Sequence, residues 1–354
     1  MIALFFLAGL IFLLTGAHLL VDSATGMAAR FGIPSLIIGL TIVAFATSAP
    51  EIAVSLDAAL NGRAGLAIGN VVGSNIANIL LIIGLSSIFS PIKLHERVAK
   101  QDLPIMVGIS LAVYLLALDY RLGFLDGIVM LLLFCGFIIF QINQSRKQKA
   151  SVEFKPPSGI SKRHPLMQLL YLLAGLGLLV TGAQWLVDSS IAIARVWGFS
   201  ELVIGLTIIA IGTSLPELAT SMMAAWKKEP DISAGNVIGS NIFNLLLILG
   251  LVAVFSGDGL SVSRAALALD LPFMIAVSIA CLPVFFTGLE ITRWEGYLFV
   301  GYYAAYLLYL FLDSTQHELL PLFNTVMALF VAPITGATLL IFALRYWRNR
   351  RRKR

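Results

Sequence analysis

Charged side chains are scarce in this sequence. Asp, Glu, Lys and Arg make up 12% of the 354 residues, whereas soluble domains carry about 25%. This scarcity excludes an ordinary soluble domain, and the apolar residues are instead grouped in runs of about 20, the length that crosses a bilayer as an α-helix. The short alternating segments of a membrane β-barrel are lacking. We therefore predict an all-α polytopic membrane protein.

Cysteine and histidine are also few, which limits the available chemistry. The two cysteines, Cys135 and Cys281, lie inside apolar runs, so we interpret them as buried thiols rather than as a disulfide or a metal pair. We assign no role to the four histidines. The sequence lacks an HExxH metal site, paired catalytic aspartates and a nucleophile–base pair, so we predict no enzymatic activity and no cofactor.

The apolar runs predict ten or eleven membrane spans. We interpret the first run as a mature helix rather than a signal peptide, because no basic segment precedes it and the run is too long. The predicted spans lie near residues 2–21, 35–60, 66–89, 104–119, 122–142, 165–187, 201–226, 234–256, 267–288, 295–312 and 321–344.

Basic residues are distributed unevenly between the predicted loops. With an external N-terminus, the 24 Lys and Arg residues all lie on the cytoplasmic side except Arg63, Arg121, Arg195 and Arg264. Because cytoplasmic loops are enriched in Lys and Arg, we predict an inner-membrane protein with an external N-terminus and a cytoplasmic C-terminus. We interpret the basic tail "RYWRNRRRKR" as a contact with anionic lipid, not with nucleic acid.

Three segments recur later in the chain at a constant offset of 166 residues. "TGAHLLVDS" at 15–23 matches "TGAQWLVDS" at 181–189, and "IGLTIVAFATSAPEIA" at 38–53 matches "IGLTIIAIGTSLPELA" at 204–219. "GNVVGSNIANILLIIGL" at 69–85 matches "GNVIGSNIFNLLLILGL" at 235–251. The chain therefore contains an internal repeat.

The repeat is predicted to be inverted in the membrane. Five spans separate equivalent points, and because five is odd, the second copy enters the membrane upside down. We predict two inverted five-helix repeats with broken helices, 1–142 and 165–312, joined by a basic cytoplasmic linker, 143–164. An extra C-terminal transmembrane helix and the basic tail occupy 313–354. Inverted repeats are typical of secondary transporters, whose site lies near the bilayer midplane.

Each repeat places a proline in the middle of an apolar span. Pro50 and Pro216 lack the N–H that continues a helix and displace the carbonyl one turn earlier. We predict that the carbonyls of residues 44–47 and 210–213 are freed, and such carbonyls are tolerated in a membrane only where they line a polar cavity or bind a ligand. With nearby Ser and Thr hydroxyls, they are hard oxygen ligands suited to Ca²⁺ or Na⁺.

A glutamate follows each of these prolines directly. Glu51 and Glu217 would each cost about 2.5–3.5 kcal/mol near the bilayer centre, so they require a partner. All Lys and Arg residues lie in loops or at span ends, and the counter-charge must therefore be metal cations or protons. Asp22 and Asp188 repeat each other at span ends, and we interpret them as helix caps.

A polar stripe lies on one face of the span that follows each glutamate. Its members are spaced i, i+4 and i+8, so they share a helical face. For the adjacent Asn75 and Asn241, ion ligation and interhelical hydrogen bonding both remain open. The stripe consists of Asn70, Ser74 and Asn78 in the first repeat and Asn236, Ser240 and Asn244 in the second.

The repeated motifs resemble those of the calcium/cation antiporter superfamily, most closely its prokaryotic sodium/calcium exchanger branch. That family carries a G-T-S-x-P-E type motif followed by G-N-x-x-G-S-N, and this chain has "ATSAPE" with "GNVVGSN" and "GTSLPE" with "GNVIGSN". The resemblance covers both repeats and their preceding helices. It implies the sodium/calcium exchanger fold of ten helices in two inverted halves, with four clustered ion sites at the centre.

The resemblance also implies roles for individual residues. Glu51 and Glu217 would bridge Ca²⁺ and share in Na⁺ binding, and the carbonyls of Thr47 and Thr213 would complete the Ca²⁺ site. Other side chains and carbonyls would line the flanking Na⁺ sites and the middle of the cluster. The flanking set is Ser48, Ser74, Ser214 and Ser240 with the carbonyls of Ala44 and Ala210, and the middle pair is Asn78 and Asn244.

Three features depart from the family pattern. Asn244 stands where several members have Asp, Ala46 replaces a glycine, and the eleventh span exceeds the usual ten. We predict a Na⁺/Ca²⁺ antiporter that works by alternating access as a monomer. The alternative is a H⁺/Ca²⁺ or other cation/H⁺ antiporter, in which Glu51 and Glu217 alternate between protons and the cation.

Overall fold

The computed structural model describes residues 1–148, 164–257, 259–286, 288–338, 340 and 344. Within them the chain is almost entirely helical, and two of the helices are broken near their middle. In chain order the helices are α1 (Ile2–Phe31), α2a (Ser35–Thr47) and α2b (Ala49–Leu60), α3 (Ala64–Phe89), α4 (Val98–Asp119), α5 (Phe124–Gln148), α6 (Pro165–Val196), α7a (201–212) and α7b (Leu215–Trp226), α8 (Pro230–Phe255), α9 (Ala266–Phe286), α10 (Arg293–Ser314) and α11 (Leu320–Thr338).

These helices have the dimensions of membrane spans. Nine helices of the described chain are long and apolar enough to cross a membrane, and α2a with α2b, bent by 46°, form a tenth candidate span. Helix α7 is interrupted at the equivalent place, between Gly212 and Leu215. The predicted all-α polytopic fold with two broken helices is therefore confirmed.

Several helices extend beyond the predicted spans. Helix α1 continues to Phe31 and α6 to Val196, each about ten residues beyond the span that hydropathy predicts. Helix α1 ends at Gly32, whose φ of 63° allows its N–H to bond the Ala28 carbonyl. Hydropathy marks only the part of a helix inside the hydrocarbon, so it misses such polar ends. Asp22 therefore lies inside α1 and Asp188 inside α6, and the interpretation of both as helix caps is wrong.

In the described part of the chain, four two-residue strands pair across the two halves of the bundle. They are β1 (Ile92–Lys93), β2 (Arg121–Leu122), β3 (Leu260–Ser261) and β4 (Glu290–Ile291), and β1 pairs with β4 while β2 pairs with β3, both antiparallel. The β1–α4–β2 segment of one half thus faces the β3–α9–β4 segment of the other in reverse order. This pairing requires the α3–α4 and α9–α10 loops to share one end of the bundle, as in an inverted repeat.

Helices α1 and α6 pack against each other along most of their length. Their backbones approach closely at glycines: a Cβ added at Gly16 would lie 2.7 Å from the Gly175 carbonyl oxygen, and one added at Gly182 would lie 2.7 Å from the Gly9 carbonyl oxygen. Such close approach through small residues is typical of helix pairs in membranes. The two contacts exchange under the 166-residue offset, so α1 and α6 meet at the two-fold axis.

Helix α11 lies at the edge of the bundle. None of the side chains of Leu320–Val326 is buried, and α11 contacts α10, where the Tyr302 hydroxyl meets the Thr335 side chain. The helix predicted near 321–344 is present at Leu320–Thr338. The basic tail 345–354 and most of the linker, 149–163, lie outside the described residues.

Candidate ion-binding site

The two helix breaks face each other at the centre of the bundle. Ser48 and Ser214 form the breaks with nearly the same backbone, φ −80° and ψ 5° for Ser48 and φ −86° and ψ 6° for Ser214. Each begins a new helix with proline near its start, a position where a missing N–H costs nothing. Glu51 and Glu217 lie in the first turns of α2b and α7b, and each is only 1% exposed.

Each glutamate lies beside a serine of the other repeat. The Ser48 hydroxyl donates to Glu217 Oε1 at 3.1 Å. The Ser214 hydroxyl lies near the Glu51 carboxylate and donates to the Ser74 hydroxyl at 3.3 Å. Ser240 lies beside Glu217 in the same way as Ser74 lies beside Glu51. The two carboxylates therefore share one polar site across the interface between the repeats.

Asparagines on α3 and α8 bracket the two breaks. The Asn236 amide donates to Ser221 Oγ at 2.9 Å and to the Glu217 carbonyl at 3.4 Å, and its oxygen accepts the Thr47 hydroxyl at 3.0 Å. Asn70 makes the equivalent set with its counterparts, at 2.9 Å to Ser55 Oγ, 3.5 Å to the Glu51 carbonyl and 3.3 Å from the Thr213 hydroxyl. Each asparagine therefore ties the break of the other repeat to the glutamate helix of its own.

A second asparagine network fixes the orientation of Asn78 and Asn244. Asn78 Nδ2 donates to Asn241 Oδ1 at 2.9 Å, and Asn244 Nδ2 donates to Asn75 Oδ1 at 3.0 Å. Asn75 and Asn241 also donate to each other's backbone carbonyls, at 3.3 and 3.4 Å. Of the two roles left open for Asn75 and Asn241, the structure shows interhelical hydrogen bonds. Because the amide nitrogens are engaged, the Oδ1 atoms of Asn78 and Asn244 remain available.

Wide π-helical turns place these asparagines. One such turn spans Asn78–Ile83 and another Phe243–Ile248, and a π-turn inserts an extra residue that rotates the following side chains. Asn78 and Asn244 lie at the start of these turns, where α3 and α8 cross the centre of the bundle. Such turns occur frequently at functional sites.

The centre of the site contains buried oxygens without hydrogen-bond partners. Buried acceptors are normally satisfied, and leaving one unpaired costs free energy. Within the described residues, those at this site are both carboxylate oxygens of Glu51, Oε2 of Glu217, Oδ1 of Asn78, Oδ1 of Asn244 and Oγ of Ser240. Carboxylate, amide and hydroxyl oxygens are the ligands that hard cations such as Ca²⁺ prefer. The arrangement can therefore surround cations at two carboxylates.

The backbone carbonyls behave differently from our expectation in one respect. The Ala44 carbonyl accepts the Ser48 N–H at 3.0 Å and the Thr47 hydroxyl at 3.4 Å, so it is not freed by Pro50. The physical reason is that proline removes a single donor, the one that would pair with the carbonyl four residues earlier, which here is Ala46. A carbonyl has two lone pairs, so the ligand roles of the Ala44, Thr47, Ala210 and Thr213 carbonyls stay predictions.

The structure brings the predicted side chains together. The four serines lie around Glu51 and Glu217, and the turns that carry Asn78 and Asn244 pack against α7b and α2b, the helices of the two glutamates. The roles of these side chains as ion ligands stay predictions. Ser55 and Ser221 were missed by sequence reasoning, although both are fully buried and orient Asn70 and Asn236. The signal that could have found them is the repeat itself, since serine recurs at the same offset.

The bundle is packed at one end and open at the other. A Cβ added at Gly239 of α8 would lie 2.6 Å from the Leu40 carbonyl oxygen of α2a, whereas a Cβ at the equivalent Gly73 of α3 would meet nothing within 4 Å. Asn236 is buried, and its counterpart Asn70 is partly exposed. We call the end where α2a and α8 begin the closed end, and the end where α3 and α7a begin the open end.

Two inverted five-helix repeats around a buried set of carboxylate, amide and hydroxyl oxygens define a secondary transporter of cations. Comparison with known protein families supports this class: the family described as "Sodium/calcium exchanger protein" matches residues 1–143 and 167–312. The chain belongs to the sodium/calcium exchanger protein family. It is a multi-pass membrane protein and a cation/Ca²⁺ antiporter rather than an enzyme.

Individual relatives are similar over most of their length. The chain is 40% identical to the putative antiporter CaxA of Alkalimonas amylolytica over 79% of this chain and 88% of that protein. It is 35% identical to the sodium/calcium exchanger MaX1 of Methanosarcina acetivorans over 87% of this chain and 98% of that protein. The fold matches solved structures of the sodium-calcium exchanger NCX_Mj with a TM-score of 0.73 at 30% identity, covering 86% of this chain and 96% of that one. The predicted family is therefore confirmed.

Proposed function

We propose that this protein exchanges Na⁺ for Ca²⁺ across the membrane, driven by the Na⁺ gradient. The observation that carries the proposal is the group of buried, unpartnered oxygens around Glu51 and Glu217, with no lysine or arginine among the described residues that contact them. Two carboxylates match one Ca²⁺ in charge, or two or more Na⁺ with neutral oxygens. The relatives whose printed names mention sodium and calcium favour this pair of ions.

The proposed ion positions follow the symmetry of the site. Glu51 and Glu217 hold Ca²⁺ between them with the Thr47 and Thr213 carbonyls, and the serine pairs at each glutamate hold Na⁺. These pairs are Ser48 with Ser240 at Glu217 and Ser214 with Ser74 at Glu51, joined by the carbonyls of Ala44 and Ala210. Ca²⁺ and Na⁺ compete for the same carboxylates, so one displaces the other, which is the requirement for exchange.

The difference between the two ends of the bundle supports alternating access. The state described above has a closed end and an open end, and exchanging the conformations of the two repeats would open the other end around the same site. We propose that ions enter and leave through one end at a time. The site has no covalent chemistry to perform and needs no cofactor.

The closed end is proposed to face the cytoplasm of the cell. Arg30, Lys93, Lys227 and Arg293 lie at helix ends or in connections at this end, which matches the enrichment of basic residues on the cytoplasmic side of membrane proteins. The protein would then lie in the inner membrane with an external N-terminus and a cytoplasmic C-terminus, functional as a monomer, with the basic tail on anionic lipid.

The experiment is uptake of radioactive Ca²⁺ into proteoliposomes loaded with Na⁺, with and without an imposed proton gradient. We expect uptake that requires internal Na⁺ and is unaffected by collapsing the proton gradient with an ionophore. Uptake driven by a proton gradient in the absence of Na⁺ would identify a H⁺/Ca²⁺ antiporter instead. The matched control is the double variant Glu51→Gln/Glu217→Gln, which keeps the size of both side chains and removes both charges.

A further inference from the structure

An ion pair joins α1 to α7b at the closed end. Lys227, directly after α7b, donates to Asp22 Oδ1 in the second half of α1 and to the His18 carbonyl at 3.3 Å. His18 Nε2 lies 3.3 Å from the other oxygen of Asp22. The Lys227 side chain is 17% exposed and that of Asp22 30% exposed, so the pair is partly shielded from solvent.

This ion pair lies where the α1–α6 pair contacts the rest of the bundle unevenly. Helix α1 packs along α7b, where its buried face meets Ala219 and Ala224. The equivalent contact at the open end, between α6 and α2b, is not extended within the described residues. The α1–α6 pair therefore rests on the closed-end half of α7 and leaves the open-end half of α2 uncovered.

The sequence does not repeat the ion pair at the open end. Asp22 has an acidic counterpart, Asp188, but the counterpart of Lys227 is Asn61. Asn61 is uncharged and donates to Asp57 of its own helix, at 2.8 Å to the carbonyl and 3.0 Å to Oδ1. A contact between α6 and α2b therefore could not gain the ion pair that stabilises the contact between α1 and α7b.

We propose that Asp22 and Lys227 form a one-sided latch that holds the closed end shut and biases the protein toward the state described here. Under the two-fold relation of the repeats, opening the closed end moves α1 off α7b and breaks the ion pair. The reverse state gains no equivalent pair, because position 61 is uncharged. A difference in contacts between two states shifts their populations by the free energy of that difference.

The test measures how often the closed end opens. Ile232 in α8 is fully buried at the closed end, whereas its counterpart at the open end, Leu66, is 53% exposed. We expect a cysteine introduced by Ile232→Cys to react with a hydrophilic maleimide only when the closed end opens. The variant carries Cys135→Ala, because Cys135 is exposed, contrary to the buried thiol predicted from the sequence, whereas Cys281 is buried as predicted. The protein is held in lipid nanodiscs, where both ends contact the same Na⁺ or Ca²⁺ buffer.

Removing the latch is expected to speed this labelling. Lys227→Gln should raise the labelling rate about three- to tenfold, as for an ion pair partly shielded from solvent. Exchanging the charges in Asp22→Lys/Lys227→Asp should restore the slow rate. The matched control is Lys228→Gln, which removes a neighbouring exposed lysine and should leave the rate unchanged.

A second variant builds the missing latch at the open end. Asn61→Lys would pair with Asp188 when the open end closes, so it should also speed labelling of the cysteine at position 232, and adding Asp188→Asn should cancel this effect. Labelling of Lys227→Gln at the wild-type rate would overturn the proposal, as would an Asn61→Lys effect that persists without Asp188. The inference rests on the alternating access proposed above but not on the identity of the transported ions. If the labelling rates change as expected while the protein takes up no Ca²⁺, the proposed function is wrong and the latch is still supported.

Discussion

The two helix breaks are surrounded by the same Thr, Asn and Ser residues in the same hydrogen bonds, but the two ends of the bundle differ in packing. At the closed end, Thr47 bonds Asn236 at 3.0 Å and both are fully buried; at the open end, Thr213 bonds Asn70 at 3.3 Å and both are partly exposed. The local sequence is therefore nearly two-fold symmetric, while the conformation is not. The difference is that α2a packs closely on Gly239 of α8, near Asn236, whereas nothing packs on the equivalent Gly73 of α3, near Asn70.

This difference shows how a repeated sequence can produce a carrier. If both halves adopted one conformation, the site would be open at both ends or closed at both. Because the constant offset of 166 residues gives the two ends nearly the same contacts to make, we expect the two arrangements with one end open to be close in energy. We expect the local bonds around each asparagine to be kept in either arrangement, so that only the packing of the covering helix changes.

The largest predicted effect tests whether the two repeats contribute equally at the centre. Glu51→Gln and Glu217→Gln should each reduce Ca²⁺ exchange by about 100-fold or more, because leaving a buried charge uncompensated costs about 3–5 kcal/mol. The measurement is Na⁺-driven Ca²⁺ uptake in proteoliposomes. Asp57→Asn is the control, since Asp57 lies in α2b but is exposed. Substantial uptake by either glutamine variant would contradict a shared site.

The glycines that distinguish the two ends provide the next test. Gly239→Ala places a methyl group against the α2a backbone and should destabilise the folded protein by about 1–3 kcal/mol, seen as a lower midpoint of thermal unfolding. Gly73→Ala meets open space, so stability should be retained. Exchange should still slow about tenfold or more, because α7a must reach this face when the open end closes. Normal exchange by Gly73→Ala would show that α7a does not pack on Gly73 as α2a packs on Gly239.

The serines that orient the asparagines should also differ between the ends. Ser221→Ala removes the shorter of the two hydrogen bonds that the fully buried Asn236 amide donates and leaves one of its N–H groups unpaired, which costs about 1–3 kcal/mol of folding stability. Ser55→Ala should cost less, because Asn70 is partly exposed and can bond water. The thermal unfolding midpoints of the two purified variants, compared in the same detergent, measure this difference. Equal losses would indicate that the two asparagines are equally shielded.

Removing α11 should leave Ca²⁺ exchange nearly unchanged. Deletion of residues 319–354 should leave exchange intact, because this segment lies outside both repeats and its described first turns bury no side chain. The measurement is Ca²⁺ uptake per folded molecule, with size-exclusion chromatography as the check on folding. Loss of exchange in a folded, inserted truncation would assign α11 a part in transport.

The smallest expected effect concerns K⁺. Replacing K⁺ by choline on both sides of the vesicle should leave Na⁺-driven Ca²⁺ flux unchanged, because Asn78 and Asn244 are both neutral and a further cation would leave excess charge in a poorly solvated site. Asn244→Asp should strengthen cation binding and destroy the equivalence of the two halves. Flux that stops without K⁺ and returns when K⁺ is added would show that our interpretation of Asn244 is wrong.

Much of this protein was determined by sequence alone. The hydropathy of the chain requires helices, because a backbone in lipid must satisfy its own hydrogen bonds. The odd number of spans between repeats requires inversion. Pro50 and Pro216 predict breaks, and Glu51 and Glu217 beside them predict metal cations or protons as the counter-charge, since no basic residue lies well inside the predicted spans. These are local or counting arguments, so they need no knowledge of packing.

The tertiary structure decided which atoms meet across the repeats. Asn75 and Asn241 accept hydrogen bonds from the amide groups of Asn244 and Asn78, and Lys227, in the connection after α7b, pairs with Asp22 of α1. Such contacts join residues far apart in sequence, so no local pattern specifies them. Only the structure shows which end is open, because the same repeated sequence fits both arrangements and the packing of α2a on α8 selects one of them.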